Sequence, residues 1–442
     1  MVSSANNSSR SVQFVALCLL WQIAGARAAE TQSQGATPIT IHDDGRIAVK
    51  VSESREIMNG VQPFLYGGGD GVLLVQSQLS VKPYGKRRRI THYPWRVGNR
   101  VSRDFGENWD ELTIRPGEDH PFLEGGALRC DDGTILMLDT YVTPTDNEDE
   151  GEGDLWISRD AWRTFEGPIP IRFRIPGVDF EASADDGGRP HRAIRLHRSL
   201  LKMPTGELLA TAYGCFEGDR IPCPYQPKMM KMRSLLFRSR DRGASWDLVS
   251  TIAVGDVGSE GFCEPTLCRL SRGPYAGRLV CMMRTGRDLY RAVSDDGGAT
   301  WTSAQPVAFP VIDIHDTERW EKHLKMDDNW VSRYPVAAGA FVDPELVELK
   351  SGILACAVGV RIPEKGCFRD PTCPRNGNYL ALSLDGGETW SHVIQLTSGV
   401  WTTHYMGLCE IRPNQLYVTY DLGFWGRPDN RIMGCTVDVS AP

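Results

Sequence analysis

The chain has 442 residues, 41% hydrophobic and 24% charged, with 45 Gly, 27 Pro and 12 Trp, a composition that excludes disordered, collagen-like and coiled-coil proteins and leaves a globular one with ample core. Its 49 Lys and Arg against 56 Asp and Glu give a formal net charge of -7; the basic residues are spread along the chain, so no nucleic-acid partner is expected. Length alone allows two or three domains, and internal repeats must decide the count.

The N-terminus reads as an export signal. Arg10 precedes the apolar run Val12 to Ile23, and Ala26-Arg27-Ala28 supplies small residues for cleavage after Ala28. Residues 1–28 are therefore a signal peptide and 29–442 a single domain, secreted or periplasmic, with no segment suited to spanning a bilayer. Without Cys18 the mature chain keeps an odd number of cysteines, of which Cys215 with Cys223 and Cys367 with Cys373 could close short loops. There is no CxxC pair and no HExxH, and the nine histidines do not cluster with the cysteines, so neither a metal nor another cofactor is expected.

The informative feature is a repeat of the form S-x-D-x-G-x-T/S-W. It runs Ser102 to Trp109, Ser239 to Trp246, Ser294 to Trp301 and Ser383 to Trp390, with a worn copy from Ser158 to Phe165. Physically this is a hairpin turn: Ser and Asp side chains accept backbone N–H bonds, Gly takes a positive φ, and the terminal aromatic anchors the turn under the sheet. Most boxes follow an apolar strand, a Gly turn and another apolar strand, as in Ala127 to Leu138, Leu200 to Ala212 and Leu346 to Val360. Strand, turn, strand, box and strand make a four-stranded antiparallel blade. Counting strand pairs gives an all-β chain forming a six-bladed β-propeller, and the N-terminal strand Ile39 to Val49 is expected to close the last blade.

Aligning the blades on their turn glycines puts Gln62, Glu124, His197, Glu264, Asp343 and Tyr405 at one height near the ring axis. All six are polar, and convergent polar groups at the mouth of a ring are a candidate site.

Repeated Asp boxes on this six-bladed pattern resemble the sialidase (neuraminidase) superfamily over essentially the whole mature chain. The resemblance implies an exo-glycosidase with a tyrosine nucleophile, a partner glutamate, three arginines gripping the substrate carboxylate and an aspartate as acid/base catalyst, with the boxes on outer hairpins away from the catalytic face. A neutral phenol activated by a glutamate avoids the repulsion that a carboxylate nucleophile would meet at a sugar bearing its own carboxylate. Carried over by motif, Gly261-Phe262-Cys263-Glu264-Pro265 implies the partner glutamate in Glu264, Met282-Met283-Arg284 and Arg361 imply two of the arginines, and His404-Tyr405-Met406 implies the nucleophile in Tyr405.

The first half departs from that pattern. Val61 stands where the first arginine is expected, and Phe173-Arg174-Ile175-Pro176 matches the motif only out of place. Between Gln78 and Val101 there is no Asp or Glu, so a proton donor must come from Glu124, Asp343 or His92, and His197-Arg198 could supply positive charge from the third blade. The basic loop Lys82 to Arg96, interleaved with Tyr84, Tyr93 and Trp95, suits an anionic glycan or a solvated surface. Two alternatives stand beside the sialidase-like reading: a glycosidase or lyase of the same fold working on another sugar through His197, Glu124 and Asp343, and a glycan-binding propeller without chemistry.

Overall fold

The computed structural model describes residues 37–79, 96–114, 122–182, 192–224, 226–315, 339–364 and 366–440. The expected signal peptide and the basic loop through His92 lie outside them. The described chain is all-β, its helical pieces being the single turns Gly273–Tyr275 and Gly366–Phe368. Among the described residues, no helix is long and apolar enough to cross a membrane.

Antiparallel meanders repeat along the chain in a propeller-like arrangement. One sheet runs Val61–Gly69, Val72–Leu79, Arg96–Ser102, Asp110–Glu111; another runs Cys263–Arg269, Leu279–Arg284, Tyr290–Ser294, Gln305–Pro306. The strands that open the meanders, Val61–Gly69, Ala127–Arg129, Ile194–Lys202, Cys263–Arg269, Ala340–Glu348 and Met406–Arg412, neighbour one another in a closed cycle. Apolar side chains fill the gaps between neighbouring sheets. Val280 and Met282 of one sheet, for example, pack in the same core cluster as Leu354, Cys356 and Val358 of the next.

Hydrogen bonding does not divide the chain into the expected set of six separate four-stranded blades. Four sheets have four or five strands, but the two meanders between residues 127 and 253 join into one nine-stranded sheet. The join is a parallel pairing of two outer strands, Arg172 to Arg174 against Ser245 to Asp247, reinforced where Tyr141–Pro144 pairs with Ile194–Lys202. The N-terminal segment also departs from expectation: Ile39–Asp43 pairs with His392–Gln395 in the fifth meander, and only Ala48–Val51 and Arg55–Met58 join the last strand, Arg431–Ser440. Both adjustments cover strand edges that would otherwise stay open. The two suggested disulfides are not formed. Cys215 and Cys223 are thiols that share the Met230 carbonyl oxygen at 3.6 and 3.3 Å, and Cys373 is a free thiol.

The box turns fold as their residue types dictate. In the first, Ser102 Oγ donates to Asp104 Oδ1 (2.8 Å) and accepts from Gly106 N (2.8 Å), Asn108 N donates to Asp104 Oδ1 (2.9 Å), and Trp109 Nε1 donates to Gly106 O (3.0 Å). The worn copy keeps the Ser158 and Asp160 contacts but puts Trp162, at φ +62°, in the glycine's place. Complete burial of its ring and an Nε1 contact to Met137 Sδ offset that strained backbone.

The feature that positions the site is a bulge recurring near the start of the opening strands. Pairing register slips between Val61 and Phe64, Leu196 and Leu200, Cys263 and Thr266, and Val342 and Glu345. Within these slips Gln62, Arg198, Glu264 and Asp343 take φ of +56, +52, +42 and +50°, and His404, just before Met406–Arg412, takes +71°. Left-handed backbone in non-glycine residues costs of order 1–3 kcal/mol each and concentrates at functional positions.

Candidate active site

A bulge breaks the alternation of a strand, so successive side chains can face the same way. Accordingly His197 and Arg198, neighbours in sequence, both reach Asp343: Arg198 grips it with Nε at 2.7 Å and Nη2, while His197 Nε2 lies 3.5 Å from Oδ1. Arg198 also donates to Glu345 Oε2 (2.9 Å) and lies over the Phe64 ring at 4.4 Å. The carboxylates are further bound by the backbone N–H groups of Met406 (3.2 Å, to Asp343) and Leu408 (2.8 Å, to Glu345).

Beside this cluster stands the triangle of Tyr405, Glu264 and Arg284. The Tyr405 hydroxyl donates to Glu264 Oε1, and Arg284 Nη1 donates both to that oxygen (2.6 Å) and to the phenolic oxygen (3.3 Å). Glu264 Oε2 accepts from Asp343 N at 3.2 Å, which ties the two clusters together. Arg284 is held from behind by Glu260 at 3.0 Å. Arg361 donates to the Thr403 carbonyl (2.9 Å) and lies over Phe368 at 5.0 Å, while its Nε, like that of Arg284, is buried with no partner. Glu124 is paired with Arg195.

Burial raises the Tyr405 phenol well above its usual range, and the Glu264 charge adds to this, so the phenol is neutral. Burial would raise Glu264 too, but the Arg284 charge, the Tyr405 hydrogen bond and the more distant Arg195 and Arg361 outweigh it and hold the carboxyl below its ordinary value. The pair is thus an ionised base hydrogen-bonded to a neutral phenol. Asp343 and Glu345 are pushed up to about 7, burial outweighing Arg198 in both. His197 is driven well below its usual range by burial and then by Arg198 and Arg195. Its Nδ1 faces the Pro265 carbonyl at 3.3 Å, an acceptor, so Nδ1 carries the hydrogen and Nε2 presents a lone pair to Asp343. Nε2 is buried without a hydrogen-bond partner among the described residues, and Asp343 Oδ1 accepts from Arg198 Nε instead.

His197, Glu264 and Asp343 could also be read as three ligands around a metal, their donor atoms lying within 4.8 Å of one another. The donor set does not fit one well: guanidinium groups of Arg198 and Arg284 already occupy the two carboxylates and would repel a dication.

These shifts have opposing consequences for stability. Asp343 and Glu345 take up protons on folding, which lowers stability as pH rises from about 4 to about 7. His197 and His404, buried and held neutral, exclude protons on folding, which raises stability as pH rises to about 6.5. Asp421, also raised by burial, adds to the falling branch, so the two sets of slopes oppose each other and urea-unfolding free energy is expected to vary less between about pH 5 and 6.5 than either set alone would make it. In Glu345→Gln one falling branch is removed, and the slope of stability against pH should become more positive than that of wild type by up to about 1.4 kcal/mol per unit. A pH slope equal to that of wild type would mean that Glu345 is already ionised in the fold.

The structure therefore brings Tyr405, Glu264, Arg284, Arg361, Asp343, His197 and Arg198 into one buried region, with Glu124 joined to it through Arg195. Gln62 is bound there only through its backbone, whose N–H donates to Asp421 Oδ2 at 2.7 Å. The left-handed position belongs to Gly126, Arg198 and His404 rather than to Glu124, His197 and Tyr405. Arg174 of the out-of-place motif is exposed on a strand that pairs with the neighbouring meander of the same nine-stranded sheet. Sequence reasoning missed Arg195, Glu345 and Glu260. Two-residue spacing from His197 and Asp343 was a usable signal for the first two; Glu260, on the turn before its strand, gave none.

Comparison with known proteins agrees at the level of the fold. Residues 181–329 match the family model of the BNR repeat-like domain. The chain carries a BNR repeat-like segment. No curated protein matches. A Dyadobacter fermentans protein of unknown function is similar with TM-score 0.59 and 17% identity, over 89% of this chain and 99% of that one. The α-L-arabinanase of Penicillium chrysogenum, complexed with arabinobiose, gives TM-score 0.50 and 13% identity over 88% and 98%. The GH93 α-L-arabinofuranosidase of Fusarium graminearum gives 0.50 and 11% over 87% and 97%. At such identities the likeness is one of fold alone.

Proposed function

We propose that this chain is a secreted glycoside hydrolase on an all-β, propeller-like fold, freed of residues 1–28 on export, that removes a terminal acidic sugar of the sialic acid type with Tyr405 as nucleophile. The observation that carries the reading is the buried triangle in which Tyr405 donates to an ionised Glu264 while Arg284 touches both. In the first step the phenolic oxygen attacks the anomeric carbon, Glu264 takes its proton, and the glycosidic bond breaks with a proton delivered to the leaving oxygen. Water then releases the sugar from Tyr405 by the reverse proton movements. Of the expected donors, Asp343 holds a proton near neutral pH, whereas Glu124 is paired with Arg195. Among the described residues Arg361 donates to the Thr403 carbonyl and pairs with no carboxylate, which leaves its guanidinium for the carboxylate of a substrate.

One observation favours a second reading, a neutral sugar. Arg195, Arg198 and Arg284 are each already paired with a buried carboxylate, so little positive charge is left over to attract an anion. Sugar release from aryl glycosides of sialic acid, uronic acids and L-arabinose, by wild type and Glu264→Gln in parallel, separates the two. Sialic acid release that falls at least about a hundredfold in the variant supports the first reading. Release of arabinose alone supports the second, and no release of any sugar refutes hydrolysis.

A further inference from the structure

The loop between Gln415–Leu422 and Arg431–Ser440 reads Gly423-Phe424-Trp425-Gly426-Arg427 and places two large aromatics side by side in a turn, both only half-buried. Phe368 and Trp401, also half-buried, come against them from two other segments. Ring centroids are 5.9 Å apart for Phe368 and Trp425, 6.2 Å for Phe368 and Phe424, and 6.2 Å for Trp401 and Phe424. Four partly open aromatic rings gathered from three segments are more than scattered surface apolarity.

This strip is continuous with the candidate site. Phe368 lies under the Arg361 guanidinium and its ring centroid is 6.2 Å from that of His404, the residue before Tyr405. Its members are also fixed in place. The Trp425 indole N–H donates to Gln78 Oε1 at 2.7 Å, and Arg427, itself held by Asp429 at 3.1 Å, stacks on Trp401 at 4.2 Å. An indole whose polar edge is satisfied presents its face with little entropy left to lose on binding.

We propose that Phe368, Phe424, Trp425 and Trp401 form a sugar-stacking platform that binds the units of a glycan chain next to the one held at Tyr405. The proposal rests on the glycan-active reading of the site, and extends it by making the substrate an oligo- or polysaccharide. The apolar faces of pyranose or furanose rings suit flat aromatic surfaces, and the platform adds affinity for the chain without touching the reacting bond.

The full chain is tested as Trp425→Ala and Trp425→Phe, each with and without Tyr405→Phe. Affinity electrophoresis through gels containing linear arabinan, polysialic acid or polygalacturonate reads binding without catalysis. At least one polysaccharide is expected to retard the Tyr405→Phe chain, with an apparent Kd about tenfold weaker in the Trp425→Ala version and restored in Trp425→Phe, which keeps an aromatic face. Trp425-dependent retardation without hydrolysis of any glycoside would keep the platform and remove the catalytic reading. Absence of retardation in every gel, or retardation equal in Trp425→Ala, overturns the platform whatever the hydrolysis assays show.

Discussion

Tyr405→Phe is expected to lose at least about a thousandfold in kcat on any substrate the wild type cleaves, with a melting temperature within about 3 °C of wild type. The substitution removes one oxygen and little else. The ring keeps its place near Phe64, centroids 6.4 Å apart, and Glu264 keeps Arg284 Nη1 and the Asp343 backbone N–H as partners. Losing one hydrogen bond to a partner that retains others costs about 1 kcal/mol. The covalent step, by contrast, has no substitute atom: a phenyl ring cannot attack, and the neighbouring carboxylate that could is Glu264, held by Arg284 and meant to receive the proton. A variant that retains even a tenth of wild-type turnover would remove Tyr405 as nucleophile and leave Glu264 or Asp343 to carry the chemistry. A fall in kcat with KM unchanged is the specific signature, because the phenol acts in the transition state rather than in ground-state binding.

Arg198→Met is expected to destabilise the fold by about 3–5 kcal/mol at pH 8, the cost of stranding buried carboxylates without their cation. Arg198 is the cation bound by both Asp343 and Glu345, and each of these is buried. Methionine preserves much of the stem over Phe64 and leaves the backbone demand at φ +52° unchanged, so the effect reports the charge. Both carboxyls titrate near 7 with Arg198 present and higher without it; at pH 5 they are neutral, and the loss should shrink. Asp343→Asn in the same chain should recover part of the stability at pH 8, since one buried charge is gone. Urea unfolding of the single and double variants at the two pH values checks this, and a penalty independent of pH would show that Arg198 acts through packing alone.

The boxes were legible because their chemistry is local. Serine, aspartate and glycine within five residues close the turn by themselves, and the observed contacts are those that the residue types demand. The same locality made the repeat of apolar strand pairs readable, and with it an all-β, propeller-like chain. Where neighbouring meanders fuse was not local. Arg172 to Arg174 pairs with Ser245 to Asp247 across some seventy residues, and no pattern in either strand announces it.

The candidate site divides the same way. Glu264, Arg284 and Tyr405 stood out by residue type and position in their blades, and the fold brings them within hydrogen-bonding distance. What the sequence by itself determined is thus the kind of sheet, its turns and the polar character of its inner ends, all properties of residues a few positions apart. The tertiary structure decided which of those polar groups meet. A bulge shifts the side-chain register by one residue without leaving a trace in the sequence, and that shift turns both His197 and Arg198 toward Asp343. The tertiary structure also decided their charge states, because burial, outweighing the opposing Arg198 charge, makes Asp343 a group that titrates near 7.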